Sequence, residues 1–549
     1  RLPAGSTVQG EAKPKPRGVD RNVDVQVKRK SRESLLLTTA TASWARLKPG
    51  ASLELAPRSS ATLARTLLQA FLVTQRMDAY AADLEDPSKV PRIPRPLAQV
   101  DVEGLRPNQA MAVRAALSLQ EQGMLFVQGP PGTGKTTVVA RVLSHAVRRK
   151  WSVLVTSHTH VAIDNALRKA IRADPLLATQ VVRLGDAGVM AHDLVHLQGN
   201  LANYAPQEQE DGELDRSPLF ASLYEEKAVA GMTLDALANA LVRYQEQELR
   251  PFDLVIVDEA GMNLHPKLAL AQAVGKRLML VGDHQQLPPI VTAPGFRNDP
   301  GYCRSTFEAL QAARGDLLVL LDEQFRCQPA IYQWSNDAVY GGAIHNRVPV
   351  RLPAAGLLGE PLISPVAWVD TQGWAASKGE RVGSSWINRG HVAASLRIVE
   401  ELVRSHGVPA EEIGYISPFR SQARLFEETL EATQLLGGAS GDVTASTVDA
   451  FQGSERQVIL YDLTTTMPRK PHEDHRRLNV SLTRAQELLV LIGPRPFVPD
   501  AKANPWYWSL QNWAAPQVIP FDAGLVPPSF LAQVRPRQQG QVGRPVAPA

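Results

Sequence analysis

Cysteines, long apolar runs and net charge are all scarce in this chain of 549 residues. The two cysteines, Cys303 and Cys327, are too few for a disulfide framework or a four-cysteine metal site, which favours a reducing compartment. There is no run of about 18 apolar residues, and the basic first 30 residues lack the apolar core of a secretory signal. These absences predict a cytoplasmic protein, or a nuclear one in a eukaryote, without a membrane partner.

The overall composition is that of a globular protein. Hydrophobic residues make up 44% and charged residues 21% of the chain, which excludes a chain that is disordered throughout. The net charge of +4 is compatible with a polyanionic partner but does not identify one.

The order of strands, helices and prolines indicates an α/β fold. From residue 100 onward short apolar strands alternate with helices, which predicts two tandem domains with parallel sheets.

The aromatic cluster around Trp506, Tyr507, Trp508 and Trp513 favours docking of a C-terminal helix, with a base-stacking platform as the alternative. The predicted segments are a flexible arm (1–20), an accessory barrel-like unit with a stalk helix (21–99), a first α/β domain (100–315) with an insertion (186–230), a second α/β domain (316–495), and a C-terminal segment with a disordered Pro-rich tail (496–549).

A phosphate-binding loop, which we call the P-loop, is present at residues 129–136, which read GPPGTGKT. An apolar strand precedes it and a helix follows, so glycine N–H groups can surround a phosphate. Lys135 can reach the β- and γ-phosphates of ATP, and the Thr136 hydroxyl can bind Mg²⁺. The predicted nucleotide-binding residues of this segment are Gly129, Pro130, Pro131, Gly132, Thr133, Gly134, Lys135, Thr136 and Thr137.

Two adjacent carboxylates end another apolar strand at Asp258 and Glu259. Ligands of α/β sheets bind at the carboxyl ends of the strands, so this pair is expected near the P-loop. Asp258 would hold the Mg²⁺ and Glu259 would orient or deprotonate the attacking water.

Further short motifs occur in order along the chain. They read RPNQA (106–110), GDHQQLPP (282–289), QFR (324–326), SPFRSQ (417–422), TVDAFQGSE (447–455) and RLNVSLTRA (477–485). With the P-loop and the carboxylate pair, this series resembles the superfamily 1B helicases of the Up-frameshift/senataxin type over residues 100–495. The resemblance implies two RecA-like domains with ATP bound between them.

The resemblance also implies roles for individual side chains. Arg326 and Arg484 of the second domain would reach the γ-phosphate, where guanidinium groups neutralise transition-state charge. Gln286 would sense the same phosphate. The other implied nucleotide contacts are Gln109 and Phe325 at the base and Glu455 at the ribose and phosphates.

Nucleic-acid contacts are predicted at the ends of several strands. Ser157, His158 and Thr159 offer hydroxyl, imidazole and amide groups that can bind backbone phosphates. The alternative is that this segment only caps the helix that follows. The further candidates are Arg183, Pro288 and Thr447.

The resulting hypothesis is an ATP hydrolase that moves along single-stranded DNA or RNA as a monomeric helicase or translocase. The family implies movement from 5′ to 3′. The alternative is an ATP-gated clamp or scaffold that grips nucleic acid without unwinding it. Recognition of the 2′-hydroxyl distinguishes RNA from DNA, and no motif here indicates it.

Overall fold

The computed structural model describes residues 86–199, 226–243, 250–289, 305–351, 356–433, 442–451 and 453–522, the strands of the first 57 residues, and isolated positions elsewhere. None of the helices in these ranges has the length and apolarity needed to span a lipid bilayer.

An antiparallel sheet of four strands forms near the N-terminus. Its members are β1 (Thr7–Ala12), β2 (Asn22–Lys30), β3 (Leu35–Thr38) and β4 (Leu53–Pro57), in the order β3-β2-β1-β4. Strand β1 lies within the segment predicted as a flexible arm, and its backbone pairs with both β2 and β4, so that prediction does not hold for these residues. Most of the predicted stalk helix lies outside the described residues, but 66–67 and 69–70 are helical.

Eight strands form the second sheet. They are β5 (Met124–Gln128), β6 (Val153–Ser157), β7 (Val181–Leu184), β8 (Gln198–Gly199), β9 (Val229–Thr233), β10 (Leu254–Asp258), β11 (Leu278–Gly282) and β12 (Leu318–Leu320). Their order is β12-β5-β11-β10-β6-β9-β7-β8. Every residue of β5, β6, β9, β10 and β11 is buried, as expected for parallel strands covered on both faces.

Six α-helices accompany this sheet in the described residues. They are α1 (Pro107–Ala116), α2 (Lys135–Arg148), α3 (His160–Ala173), α4 (Leu234–Arg243), α5 (His265–Ala273) and α6 (Thr306–Ala313). Helix α2 follows the P-loop directly and α3 follows β6, as the alternating pattern predicts.

Two boundaries differ from the prediction. Strand β12 was expected to open the second domain, yet it pairs in parallel with β5. Strand β9 falls at the end of the predicted insertion, yet it pairs with β6 and β7 inside the sheet. Gly231 allows this strand to lie close to α3, because a Cβ there would come within 2.7 Å of Leu167. Strand β9 is only five residues long and includes Ala230, Gly231 and Thr233, so it does not form the continuous run of large apolar residues typical of a buried strand.

The remaining chain forms a six-stranded parallel sheet with small ladders beside it. The ladders pair β13 (Glu323–Gln324) with β14 (His345–Asn346), β15 (Gly356–Leu357) with β16 (Glu360–Pro361), and β18 (Glu380–Val382) with β19 (Ser385–Ile387). The sheet comprises β17 (Val366–Asp370), β20 (Ile413–Ser417), β21 (Thr444–Thr447), β22 (Arg456–Asp462), β23 (Ala485–Gly493) and β24 (Gln517–Pro520), in the order β21-β20-β22-β23-β17-β24. The helices are α7 (Pro329–Ala338), α8 (Arg389–Arg404), α9 (Arg420–Thr433), α10 (His475–Leu482) and α11 (Pro505–Gln511).

The C-terminal segment completes this sheet. Strand β24 pairs in parallel with β17. In α11 the buried Tyr507 places its hydroxyl 2.7 Å from that of Tyr461, and Trp513 is also buried in the same core. These contacts confirm docking of the C-terminal helix, the favoured interpretation of the aromatic cluster.

The chain divides into two compact units. One comprises Arg1–Val90, Ala146–Val257 and His265–Leu278, and the other comprises Pro91–His145, Asp258–Leu264 and Met279–Ala549. The P-loop, the residues that follow β10 and β11, and the six-stranded sheet therefore belong to one unit. This division differs from the predicted boundary at residue 315.

Candidate nucleotide site

The P-loop has the backbone conformation of an anion cradle. Gly132 and Gly134 have φ of +76° and +84°, in the region that favours glycine. The Lys135 ammonium donates to the carbonyl oxygen of Gly129 over 2.6 Å. The backbone N–H of Gly129 donates to the Gly282 carbonyl oxygen over 2.9 Å, which ties the P-loop to the end of β11. Positive-φ glycines beside a lysine are typical of loops whose N–H groups bind phosphate.

The predicted carboxylate pair ends β10 in the same compact unit. Asp258 is buried, and its Oδ1 accepts a hydrogen bond from the Glu259 N–H over 2.9 Å. Glu259 has φ of +53°, a left-handed backbone conformation that is uncommon for a residue other than glycine. Burial first, and then the charge of Glu259, raise the pKa of Asp258 to about 7, while Lys135 opposes the shift. A buried carboxylate of this kind suits a cation ligand, because a bound cation restores its ionised form.

Two glycines bring the loops that follow β10 and β11 into backbone contact. A Cβ added to Gly261 would lie 2.7 Å from the Asp283 carbonyl oxygen. A Cβ added to Gly282 would lie 2.7 Å from the Gly261 nitrogen. Only glycine fits at both positions without a shift of the main chain.

Gln286, the predicted phosphate sensor, is held beside Asp283. Its Nε2 donates to Asp283 Oδ2 over 3.0 Å, and the residue is buried. The contact positions the amide on the loop after β11. Its role as a sensor stays a prediction.

The segment with Arg326 contacts the P-loop directly. The N–H of Phe325 donates to the Gly132 carbonyl oxygen over 2.9 Å. The guanidinium of Arg326 forms an ion pair with Glu455. Arg326, predicted to reach the γ-phosphate, and Glu455, predicted to contact the ribose and phosphates, therefore pair with each other beside the P-loop.

Arg484 is the more deeply buried of the two arginines, with 3% of its surface exposed. One guanidinium nitrogen donates to the Ser454 carbonyl oxygen over 3.3 Å, while Nε has no hydrogen-bond partner among the described residues. Burial first, and then the charge of Arg326, lower its pKa to about 10, whereas Glu259 and Glu455 oppose the shift. Two guanidinium groups and the carboxylate of Glu259 thus interact electrostatically, and the roles of the two arginines at a phosphate stay predictions.

A second corner of the site holds the residues predicted to bind the base. Gln109 is buried, its Nε2 donates to the Thr133 carbonyl oxygen over 2.9 Å, and its Oε1 accepts from the Arg106 N–H over 3.2 Å. The Phe325 ring is 40% exposed, with the Arg106 guanidinium 5.2 Å from its centroid. Both predicted base contacts therefore lie next to the P-loop, and the Phe325 ring is accessible for stacking.

The predicted nucleic-acid contacts have mixed placements. Ser157 is fully buried, so its side chain cannot contact a strand, which corrects that prediction. Thr159 Oγ1 accepts from the Ala162 N–H over 3.3 Å, which is the capping alternative. The exposed His158 has its Nδ1 3.0 Å from the Lys267 ammonium. Thr159 and His158, together with the half-buried Pro288 and Thr447, stay predictions as strand contacts.

Arg183 is a structural arginine, so its predicted contact with nucleic acid is wrong. The side chain is fully buried, and its Nε donates to Asp164 Oδ1 over 2.8 Å. Its other nitrogens donate to the carbonyl oxygens of Leu184 and Gly231 and lie 3.0 Å from His160 Nδ1. The sequence gives no sign of this because Asp164 lies on a separate helix.

Comparisons with known proteins agree with the site. Two family models, each described as an AAA domain, match residues 104–298 and 302–496. The ATP-dependent helicase NAM7 of Saccharomyces cerevisiae is 29% identical over 441 residues, which cover 75% of this chain and 44% of the relative. The DNA replication ATP-dependent helicase/nuclease JHS1 of Arabidopsis thaliana is 28% identical, over 71% of this chain and 28% of the relative. An uncharacterized ATP-dependent helicase of Methanocaldococcus jannaschii is 24% identical, over 75% of this chain and 70% of the relative.

The chain thus spans less than half the length of the first two of these relatives. The two family matches together cover more than half of the chain and include the P-loop, the carboxylate pair and both arginines. On its ordered motifs, domain matches and relatives, the chain belongs to the superfamily 1 helicases of the Up-frameshift type.

Proposed function

We propose that this chain is an ATP-dependent helicase or translocase that acts on single-stranded DNA or RNA. The observation that carries the proposal is the association of Lys135 and Glu259 with Arg326 and Arg484 in one compact unit. A simple phosphate-binding switch needs the P-loop and a cation ligand. Two arginines from the far end of the chain are the addition that a nucleotide-driven motor requires.

The residues present fit ATP and Mg²⁺. The P-loop N–H groups and Lys135 would bind the phosphates, while Gln109 and Phe325 would face the base. Thr136 and the buried Asp258 would hold Mg²⁺, which neutralises phosphate charge when bound. Glu259 would orient the attacking water and accept its proton.

Arg326 and Arg484 would provide the cationic charge that the transition state needs. Arg326 leaves Glu455 for the phosphate in this proposal, and Glu455 is then available to the ribose. Arg484 is already desolvated, so its interaction with a phosphate oxygen is strong. Arginines in this role contribute about 10³–10⁵ in rate in other NTPases.

Movement along a strand would follow from the nucleotide cycle. ATP would bring the guanidinium groups of Arg326 and Arg484 onto its γ-phosphate, and hydrolysis would release them. The family resemblance implies 5′ to 3′ direction. Strand contacts at His158, Thr159, Pro288 and Thr447 would hold the backbone without reading sequence.

Strand-stimulated ATP turnover, followed by unwinding of a forked duplex, tests the proposal. We expect single-stranded DNA or RNA to raise turnover in the wild type, and Lys135→Ala and Arg484→Ala to abolish it. Lys502→Ala, which changes an exposed lysine, is the matched control. Turnover that no strand alters would reject the proposal. Stimulation without unwinding would leave a translocase or the ATP-gated clamp.

A further inference from the structure

The carboxylate of Asp283 is a buried junction of four hydrogen bonds. Its Oδ1 accepts from the Gln285 N–H over 3.1 Å and from Gln128 Nε2 over 3.4 Å. Its Oδ2 accepts from Gln286 Nε2 over 3.0 Å and from the Tyr340 hydroxyl over 2.7 Å. Gln128, Gln285 and Gln286 lie on the P-loop strand or on the loop after β11. Tyr340 is the donor that lies outside these two segments.

The same tyrosine hydroxyl reaches the helix that precedes Arg484. Asn479 Nδ2 donates to the Tyr340 oxygen over 2.9 Å and to the Gln285 carbonyl oxygen over 2.9 Å. Asn479 lies in α10, which ends at Leu482, and its carbonyl oxygen accepts from the Thr483 hydroxyl over 2.7 Å. Arg484 follows Thr483 directly. The Tyr340 oxygen therefore links Asp283 to the base of the Arg484 segment.

Tyr340 also lies at the end of the helical segment that follows Arg326. Helix α7 starts at Pro329, shortly after Arg326, and Tyr340 follows its end. The Tyr340 ring stacks on Tyr332 of the same helix, with centroids 6.3 Å apart and 4° between the ring planes. Arg326 is thus connected along the chain to Tyr340 through α7, and Arg484 is connected through Thr483 and α10 to Asn479, which bonds the Tyr340 hydroxyl.

The hydroxyl remains neutral and available as a donor. Burial first, and then the Asp283 carboxylate, raise the pKa of Tyr340 well above its ordinary value. A neutral donor to a buried carboxylate makes a charge-assisted hydrogen bond, which is among the stronger ones in proteins. A hydrogen bond is directional, so a shift of the Asp283 loop would change the positions that Tyr340 and Asn479 favour.

We propose that Tyr340 is a positioning residue for ATP turnover, which couples the Asp283–Gln286 loop to Arg326 and Arg484 through its hydroxyl. This rests on the proposed ATP hydrolysis. The motif series does not include Tyr340, and the residue touches neither the P-loop nor the carboxylate pair in the contacts described above. Its effect on hydrolysis would be exerted through the placement of the two arginines.

The test compares Tyr340→Phe with Tyr332→Phe in the full chain. Both variants keep the stacked rings and lose one hydroxyl. The Tyr332 hydroxyl has no hydrogen-bond partner in the described part of the chain, so it is the matched control. We expect Tyr340→Phe to lower the strand-stimulated kcat roughly tenfold, the loss typical of a charge-assisted hydrogen bond, with little change in the KM for ATP. Tyr332→Phe should keep the wild-type kcat and melting temperature. Tyr340→Phe should melt at a lower temperature, because Asp283 loses a donor, but it should remain folded at the assay temperature.

A double-mutant cycle of Tyr340→Phe and Asn479→Ala tests whether the two residues act on kcat together or independently. If the hydroxyl couples the two segments, the double variant should be hardly slower than the slower single variant. Equal kcat in Tyr340→Phe and Tyr332→Phe, or independent effects in the cycle, would overturn the proposal. Should Tyr340→Phe fail to fold, Asn479→Ala alone carries the same expected loss of kcat. A wild type without ATP turnover would instead refute the proposed function itself.

Discussion

The N–H of Phe325 donates to the carbonyl oxygen of Gly132 over 2.9 Å, which joins the predicted base contact to the P-loop. A methyl group at Gly132 would lie 2.6 Å from Arg326 Cβ, and its φ of +76° disfavours any residue but glycine. The spacing between P-loop and arginine therefore depends on a missing side chain.

Gly132→Ala should lower both stability and turnover. The left-handed φ costs about 1–2 kcal/mol in unfolding free energy, and the displacement of Arg326 should slow ATP turnover roughly a hundredfold. Gly373→Ala is the control, because its φ is +80° and a Cβ there meets nothing within 4 Å. It should lose similar stability in denaturant unfolding but keep wild-type turnover. Normal turnover in Gly132→Ala would contradict the steric argument.

Glu259→Gln should separate nucleotide binding from hydrolysis. The amide has the same shape but cannot accept the proton of the attacking water, so turnover should fall by roughly 10²–10⁴. Binding of a fluorescent ATP analogue should stay near the wild-type level. Glu428→Gln is the control, because Glu428 pairs with the exposed Arg424 on α9 and should not affect turnover. Fast hydrolysis by Glu259→Gln would show that another group activates the water.

Asp258 should give the nucleotide-free protein a characteristic pH dependence. Its pKa is about 7 in the folded state and near 3.8 in the unfolded chain, so folding takes up a proton between these values. The free energy of unfolding should therefore fall as pH rises from about 4 to 7, relative to Asp258→Asn, whose side chain does not titrate. Denaturant unfolding of both proteins across this window measures the difference. Parallel curves for the two proteins would show that Asp258 is not the titrating group.

Arg183→Met should affect folding rather than strand binding. Removing one partner of a buried ion pair leaves Asp164 uncompensated and costs about 3–5 kcal/mol in unfolding free energy. Adding Asp164→Leu should recover part of the loss, since no charge then remains buried. Arg172→Met, at an exposed position of α3, should change stability little. A specific loss of strand affinity in stable Arg183→Met protein would restore the original prediction.

The sequence predicts those parts of the fold and site that repeat a local pattern. The P-loop, Asp258 and Glu259 are each flanked by a continuous apolar strand, so their position at the carboxyl edge of a sheet follows from order alone. Strand β12 has only three residues, and nothing local indicates that it joins β5 in the eight-stranded sheet instead of the six-stranded sheet.

Tertiary partners are the part that sequence patterns cannot give. Arg183, on β7, resembles an exposed cation in the sequence, but it is buried and paired with Asp164 of α3. Tyr340 stands in no motif, and its contact with Asp283 bridges residues far apart in the chain. Both roles depend on which strands, loops and helices meet, and tertiary packing decides that.

The paired glycines at 261 and 282 have a consequence for how the candidate nucleotide site can vary. Main-chain atoms alone set the separation of the two loops, so substitutions of nearby side chains can tune rates without altering that separation. A larger residue at either position would push the two loops apart, and this would displace the segments that carry Asp258 and Asp283 together.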